Sequence, residues 1–227
     1  MGAMKTGSSL SDARSWPRLI ESLARICKQY PIDRKILAVQ SHHAGQLILQ
    51  SLAKCSGGWL NLRAVTPAEL AWDAIAAEAS ARGLMAADDV TLEGTVIEAY
   101  QGTKRAFFPE RPPLGLLSAI QRTILELRNA EVTPAKLRSS RVITPEKASD
   151  LAAILEQYTA ALRRDSLLDE AGIYSLAIGK SSARTTLLVP AGFKALGLCR
   201  KLLSCYGAGR VLTVAEDPAR SHRQQNR

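Results

Sequence analysis

The run Thr185-Thr-Leu-Leu-Val189 constrains this chain more than any other stretch. It is a short block of β-branched and apolar residues with no solvated face, the pattern of a strand buried on both sides. Pro190 breaks it, and the chain opens from there into a helix. Parallel strands of this kind need crossover connections, usually helical, so the run points to an α/β architecture.

The rest of the chain supplies such connections. Ser11 and Asp12 are suited to cap a helix running from about Ala13 to Gln29, with Leu19, Ile20, Leu23, Ile26 and Cys27 at helical spacing and Pro31 as its stop. Lys35-Ile-Leu-Ala-Val39 reads as a strand, Gln40-Ser-His-His-Ala44 as a polar turn, and Gly45 to Cys55 as a helix ended by Ser56-Gly57-Gly58. A second strand is expected over Trp59–Val65, and Thr66-Pro67 with Glu69 starts another helix running to about Arg82. From there to about Ile178 no strand pattern is visible. Helices are expected near 86–104, 114–130, 145–164 and 169–178, separated by the proline-punctuated loop Phe107–Pro113 and by the starts Thr133-Pro134 and Thr144-Pro145. After Thr185–Val189 come a helix over 193–206, the stop Gly207-Ala-Gly209 and a last strand over 210–215.

Several chemistries are excluded by spacing. The Gly-Lys-Ser at 179–181 follows Gly172 with six intervening residues instead of four, and a helix-like stretch precedes it, so it does not read as a phosphate loop. Cys27, Cys55, Cys199 and Cys205 form no CxxC pair and read as reduced thiols. Asp88-Asp89 reads as helix capping, and Glu216-Asp217 lacks the partner strand a metal-dependent nuclease requires. No Gly-x-Ser-x-Gly elbow and no nucleophile with His and Asp partners is present. No catalytic residue, metal ligand or cofactor is therefore expected. No apolar run reaches the roughly 18 residues of a membrane span, and the N-terminus lacks the apolar core of a signal peptide, so the expectation is a cytoplasmic protein. The net charge of +9 is uneven: residues 1–113 carry 13 Lys+Arg against 11 Asp+Glu, residues 114–227 carry 17 against 10. Such a surplus serves solubility or attracts a polyanion.

The order of elements carries a resemblance. Ile36-Leu-Ala-Val-Gln-Ser-His-His-Ala-Gly-Gln-Leu-Ile-Leu49 resembles motif Ia of the UvrD/Rep superfamily 1 helicases, and Arg63-Ala-Val-Thr-Pro-Ala-Glu-Leu-Ala71 resembles their motif Ib. In those helicases a helical subdomain follows motif Ib, where this chain has its helical block. Leu187-Leu-Val-Pro-Ala-Gly-Phe193 falls at motif II, the Walker B strand, with Pro190 and Ala191 where the acids would stand. Val211-Leu-Thr-Val-Ala-Glu-Asp-Pro218 resembles motif III. With Gly57–Arg63, Thr123–Ala130 and Leu167–Gly172, the chain resembles the inactivated helicase region of AddB/RexB-type nuclease subunits, of the RecB, PD-(D/E)XK group, over about residues 33–218.

That resemblance implies a P-loop-NTPase-like (RecA-like) parallel sheet flanked by helices, with an all-helical insertion. The implied domains are residues 33–67 with 183–218 as the α/β domain and 68–182 as the insertion, between an N-terminal helix in 1–32 and a basic tail at 219–227. It implies a non-catalytic DNA-binding or scaffold portion of a helicase-nuclease in recombinational repair of double-strand breaks. No Walker A precedes the first strand, and neither a second motor domain nor a nuclease domain follows, so a truncated or N-terminal portion is expected. By the resemblance, Ser41, His42, His43, Asn61, Arg63, Thr66 and Asp217 face DNA, single-stranded or at a duplex end. The alternative is an interaction scaffold that docks a helicase partner and binds no DNA itself.

Overall fold

The computed structural model describes residues 16–180, 185–206 and 211–214. In chain order the elements are α1 (Trp16–Gln29), β1 (Arg34–Ala38), α2 (His42–Ser56), β2 (Leu62–Val65), α3 (Pro67–Ala81), β3 (Met85–Ala86), α4 (Asp89–Gln101), α5 (Leu114–Asn129), α6 (Pro134–Arg138), α7 (Pro145–Arg164), β4 (Leu167–Leu168), α8 (Glu170–Ala177), β5 (Thr185–Pro190), α9 (Gly197–Cys205) and β6 (Val211–Val214). The protein is α/β. They fall into two compact units: residues 1–67, 182–194 and 206–227, and residues 68–181 and 195–205.

The first unit is built on a four-stranded sheet in the order β2-β1-β5-β6, parallel throughout. Leu37 and Leu188 are both fully buried, at paired positions on the two central strands. Together with Val39, Leu62 and Val214 they join Leu19, Leu23 and Cys27 of α1 and Ile48 and Leu52 of α2 in one core. Ile36, Ala38 and Leu187, on the opposite face, are buried as well, as the unbroken apolar pattern of β1 and β5 requires. Gly45 lets α2 approach the sheet, since a Cβ there would lie 3.0 Å from that of Ala64. Lys35 is buried, and its ammonium donates to the carbonyls of Tyr30 (2.5 Å) and Asp33 (2.6 Å), which satisfies the charge and closes the turn between α1 and β1.

Two expectations change here. Strand β5 continues through Pro190 instead of breaking at it; its ladder to β1 ends at the Leu37–Leu188 pair, so the missing N–H has no partner to fail. Strand β2 begins at Leu62, because Asn61 takes a positive φ of 55° and the preceding residues form a loop. Trp59 lies in that loop, packs on the core and donates its indole N–H to the Leu62 carbonyl at 3.3 Å. The indole thereby occupies a backbone acceptor on the edge strand.

The second unit is organised around α7, whose Leu151, Ile154, Leu155, Tyr158 and Leu162 pack with α4, α5 and α6. It is not all helical: β3 and β4 form a two-residue parallel ladder, Met85 to Leu167 and Ala86 to Leu168. Two buried carboxylates tie loops to helices. Asp150 accepts the consecutive amides of Ala106, Phe107 and Phe108 at 2.8–3.2 Å. Asp169 caps α8 through Gly172 N–H at 2.9 Å and forms a two-pronged pair with Arg128, whose Nη2 lies 2.9 Å from Oδ1. Helix α9, expected in the α/β domain, belongs to this unit and packs on α8 and α5.

Gly197 sets that last contact. Its φ is 52°, and a Cβ on it would lie 2.0 Å from the Asn129 carbonyl oxygen at the end of α5. Gly197→Ala is expected to cost at least about 2 kcal/mol in urea unfolding. Gly94→Ala, in the exposed middle of α4 with nothing within 4 Å, is expected to be neutral or to stabilise by up to about 1 kcal/mol.

Candidate nucleic-acid interface

All four strands of the first unit run the same way, so the residues that follow β2, β1 and β5 meet along one edge of the sheet. Across that edge the order is Thr66 after β2, Ser41 to His43 after β1, and Pro190 to Lys194 at and beyond the end of β5. Three strand spacings of about 4.8 Å make the edge roughly 14 Å wide. The chain leaves β1 toward β2 and leaves β5 toward β6, in opposite directions, so a switch point lies between the ends of β1 and β5. In open α/β sheets such a point is where ligands bind.

Ser41 is extended (φ −154°, ψ 156°) and caps α2, its hydroxyl accepting from Ala44 N–H at 3.2 Å. His42 and His43 are therefore the first two residues of a helix, not part of a turn, and both are exposed. The positive end of α2 points at the edge and favours an anion there. Thr66 is half-buried and precedes Pro67 at the start of α3. Arg63 is exposed in mid-strand, paired in register with Ile36, on the sheet face away from α1 and α2. Pro190 and Ala191 stand at the end of β5 and in the turn closed by Phe193 N–H on the Pro190 carbonyl at 2.9 Å. Asp217 lies outside the described residues.

Asn61 does not join this group. It sits at the opposite, amino end of β2, where its side-chain amide donates to the Ile32 carbonyl at 2.8 Å and its own carbonyl accepts from Lys35 N–H at 2.7 Å. The strand pattern that set Asn61 two residues before Arg63 could not reveal the reversal of its φ. One residue was missed: Lys194, exposed in the loop after β5. Its signal was position, four residues beyond the strand end.

The edge is electrostatically one-sided. Residues 39–43, 66–67 and 190–194 contain no Asp or Glu. Among the described residues the first unit carries 8 Lys+Arg against 2 Asp+Glu, a net +6, whereas the second carries 15 against 16, a net −1. The positive charge of the protein thus follows the units, a partition sharper than the one between halves of the sequence. Among the described residues of those three segments the absence of carboxylates leaves an environment that favours an anion over a cation.

The other candidate features are committed to structure. Lys180 follows α8, where Gly179 has φ 87°, and its ammonium pairs with Glu78; Ser181 lies outside the described residues. Asp88 caps α4, accepting from Thr91 N–H at 2.8 Å, and hydrogen bonding from the Thr91 side chain, together with that backbone bond, holds its carboxyl below the usual range. Among the described residues no group of three His, Cys, Asp or Glu is placed to hold a metal. A cleft of about 260 Å³ between α4 and α7 offers Arg164, which is already paired with Glu98 and Asp165 at 2.7 Å each. No helix among the described residues is long and apolar enough to cross a membrane.

All four cysteines are unpaired; Cys27 and Cys199 are buried, Cys55 and Cys205 exposed. Burial pushes the Cys199 thiol up to about 11 and raises that of Cys27, against which Lys35 acts weakly. A thiol reagent at pH 8 is therefore expected to modify Cys55 and Cys205 quickly, and Cys27 and Cys199 only after unfolding. Four fast thiols in the native protein would contradict this packing. No family model matches the chain, and no curated protein sequence matches it.

Proposed function

We propose that the α/β unit is a non-catalytic, helicase-like DNA-binding module, in which the carboxyl edge of a RecA-like sheet holds the phosphate backbone. The observation that carries this reading is the segregation of charge among the described residues: +6 on the unit with the edge, −1 on the helical unit. Surface charge selected for solubility alone has no reason to follow that boundary. Further support comes from the sheet, where the segments resembling motifs Ia, Ib, II and III are four neighbouring parallel strands. By that likeness the module belongs to an AddB/RexB-type subunit acting at DNA ends in recombinational repair. Ser41, the helix end at His42 and His43, Thr66 and Lys194 meet phosphates along the edge, and Arg63 extends the track along β2. Pro190 and Ala191, at the Walker B positions, leave the module without a hydrolytic step of its own.

The test is fluorescence anisotropy with labelled single-stranded and duplex DNA across salt concentrations, on the full chain. Two cationic phosphate contacts on a single strand, from Arg63 and Lys194, predict a slope of roughly −1.4 in log K against log salt, at about 0.7 per contact. Arg63→Ala and Lys194→Ala should each weaken binding and flatten the slope by about 0.7. Absence of binding at low salt, or a slope unmoved in the double variant, would remove the reading.

A further inference from the structure

The opposite, amino edge of the same sheet has a different chemistry, independent of the DNA reading. Two loops lie side by side there. One, residues 30–33, joins α1 to β1; the other, residues 57–61, joins α2 to β2. They are clipped together by Asn61, whose side-chain amide donates to the Ile32 carbonyl at 2.8 Å, and by Lys35 N–H on the Asn61 carbonyl at 2.7 Å. The buried Lys35 ammonium holds the first loop through the Tyr30 and Asp33 carbonyls. The positive φ of Asn61 and the Trp59–Leu62 bond shape the second.

These fixed loops present apolar side chains to water. Ile32 is 81% exposed, Leu60 69% and Tyr30 41%. Single exposed apolar residues are ordinary, but three held together on adjoining, hydrogen-bonded loops form a patch of the kind that marks an interaction surface. The rim is basic: Lys28 in the last turn of α1, Arg34 at the start of β1 and Lys54 in the last turn of α2 are exposed. With buried Lys35 they make four cations against Asp33 and two helix C-termini worth about half a negative charge each, leaving a surplus of about +2. A nucleic-acid strand suits this edge poorly, because both helices turn their C-termini to it and its centre is aliphatic.

The geometry points to this amino edge as a docking surface for an acidic amphipathic segment of another protein. Apolar anchors of the segment cover Ile32, Leu60 and Tyr30, and its carboxylates meet Lys28, Arg34 and Lys54. The surface is preformed, so binding requires little ordering on this side.

The experiment uses the full chain and two labelled helical peptides of about 18 residues, five turns. They share one leucine face; the other positions are glutamate in one and lysine in the other. Anisotropy should show the glutamate peptide binding at least about tenfold tighter than the lysine peptide. Ile32→Ser with Leu60→Ser should weaken it by about tenfold or more, as loss of central anchors does. Arg34→Glu with Lys54→Glu should reverse the preference between peptides. Val142→Ser, at a residue 91% exposed in the helical unit, should change nothing. All variants lie at exposed positions, and an unchanged melting temperature verifies the fold. The inference is overturned if the glutamate peptide fails to bind, if both peptides bind equally, or if the Ile32 and Leu60 variants bind it normally. Self-association of the chain lost on those two substitutions overturns it in favour of a second copy. Displacement of the peptide by single-stranded DNA also overturns it, whereas failure of DNA binding alone leaves it standing.

Discussion

Pairing of β1 with β5 is the contact on which the rest of the architecture depends. A parallel pair cannot be closed by a tight turn, and here the connection between the two strands is residues 39–184. Everything in that stretch must fold within the loop that the pair closes. The helical unit meets this demand with a core of its own, centred on α7 and tied by the Asp150 and Asp169 carboxylates. The first unit meets it by burying both faces of β1 and β5, so that the long closure is offset by apolar area rather than by hydrogen bonds alone.

The same parallel arrangement gives the sheet a chemical polarity. Helix α2 presents its N-terminus, capped by Ser41, at the carboxyl edge and its C-terminus at the amino edge. At the carboxyl edge partial positive charge and exposed polar side chains combine, residues 39–43, 66–67 and 190–194 hold no carboxylate, and the described residues of the unit around it are basic. At the amino edge the exposed groups are aliphatic and aromatic, ringed by cations. One edge is suited to a phosphate backbone, the other to an apolar face with acidic flanks.

Where local chemistry decides structure, the sequence was legible. Pro67, Pro134 and Pro145 open helices, Asp88 caps one, and the apolar runs of β1 and β5 are strands. Long-range facts were not. The pairs Arg128–Asp169 and Asp150 with the 106–108 amides join residues about forty apart, and no spacing rule announces them. The ladder of β3 and β4 is two residues long, below the length at which a period shows. Of the candidate site, Ser41, His42, His43 and Thr66 were named from the resemblance, and the fold sets them on one edge because each follows a strand. Asn61 came with them from the same resemblance, and neither that nor a strand pattern shows its positive φ; Lys194 was missed because the loop after β5 carries no motif of its own.

The central claim is one of location: that DNA lies on the carboxyl edge of the α/β unit. Amide hydrogen exchange of the full chain with and without single-stranded DNA tests it most directly. Protection confined to segments around 39–44, 63–67 and 190–194, with α4 and α7 unchanged, is the predicted result. Protection centred on the helical unit, or none under conditions where DNA is bound, would contradict the account.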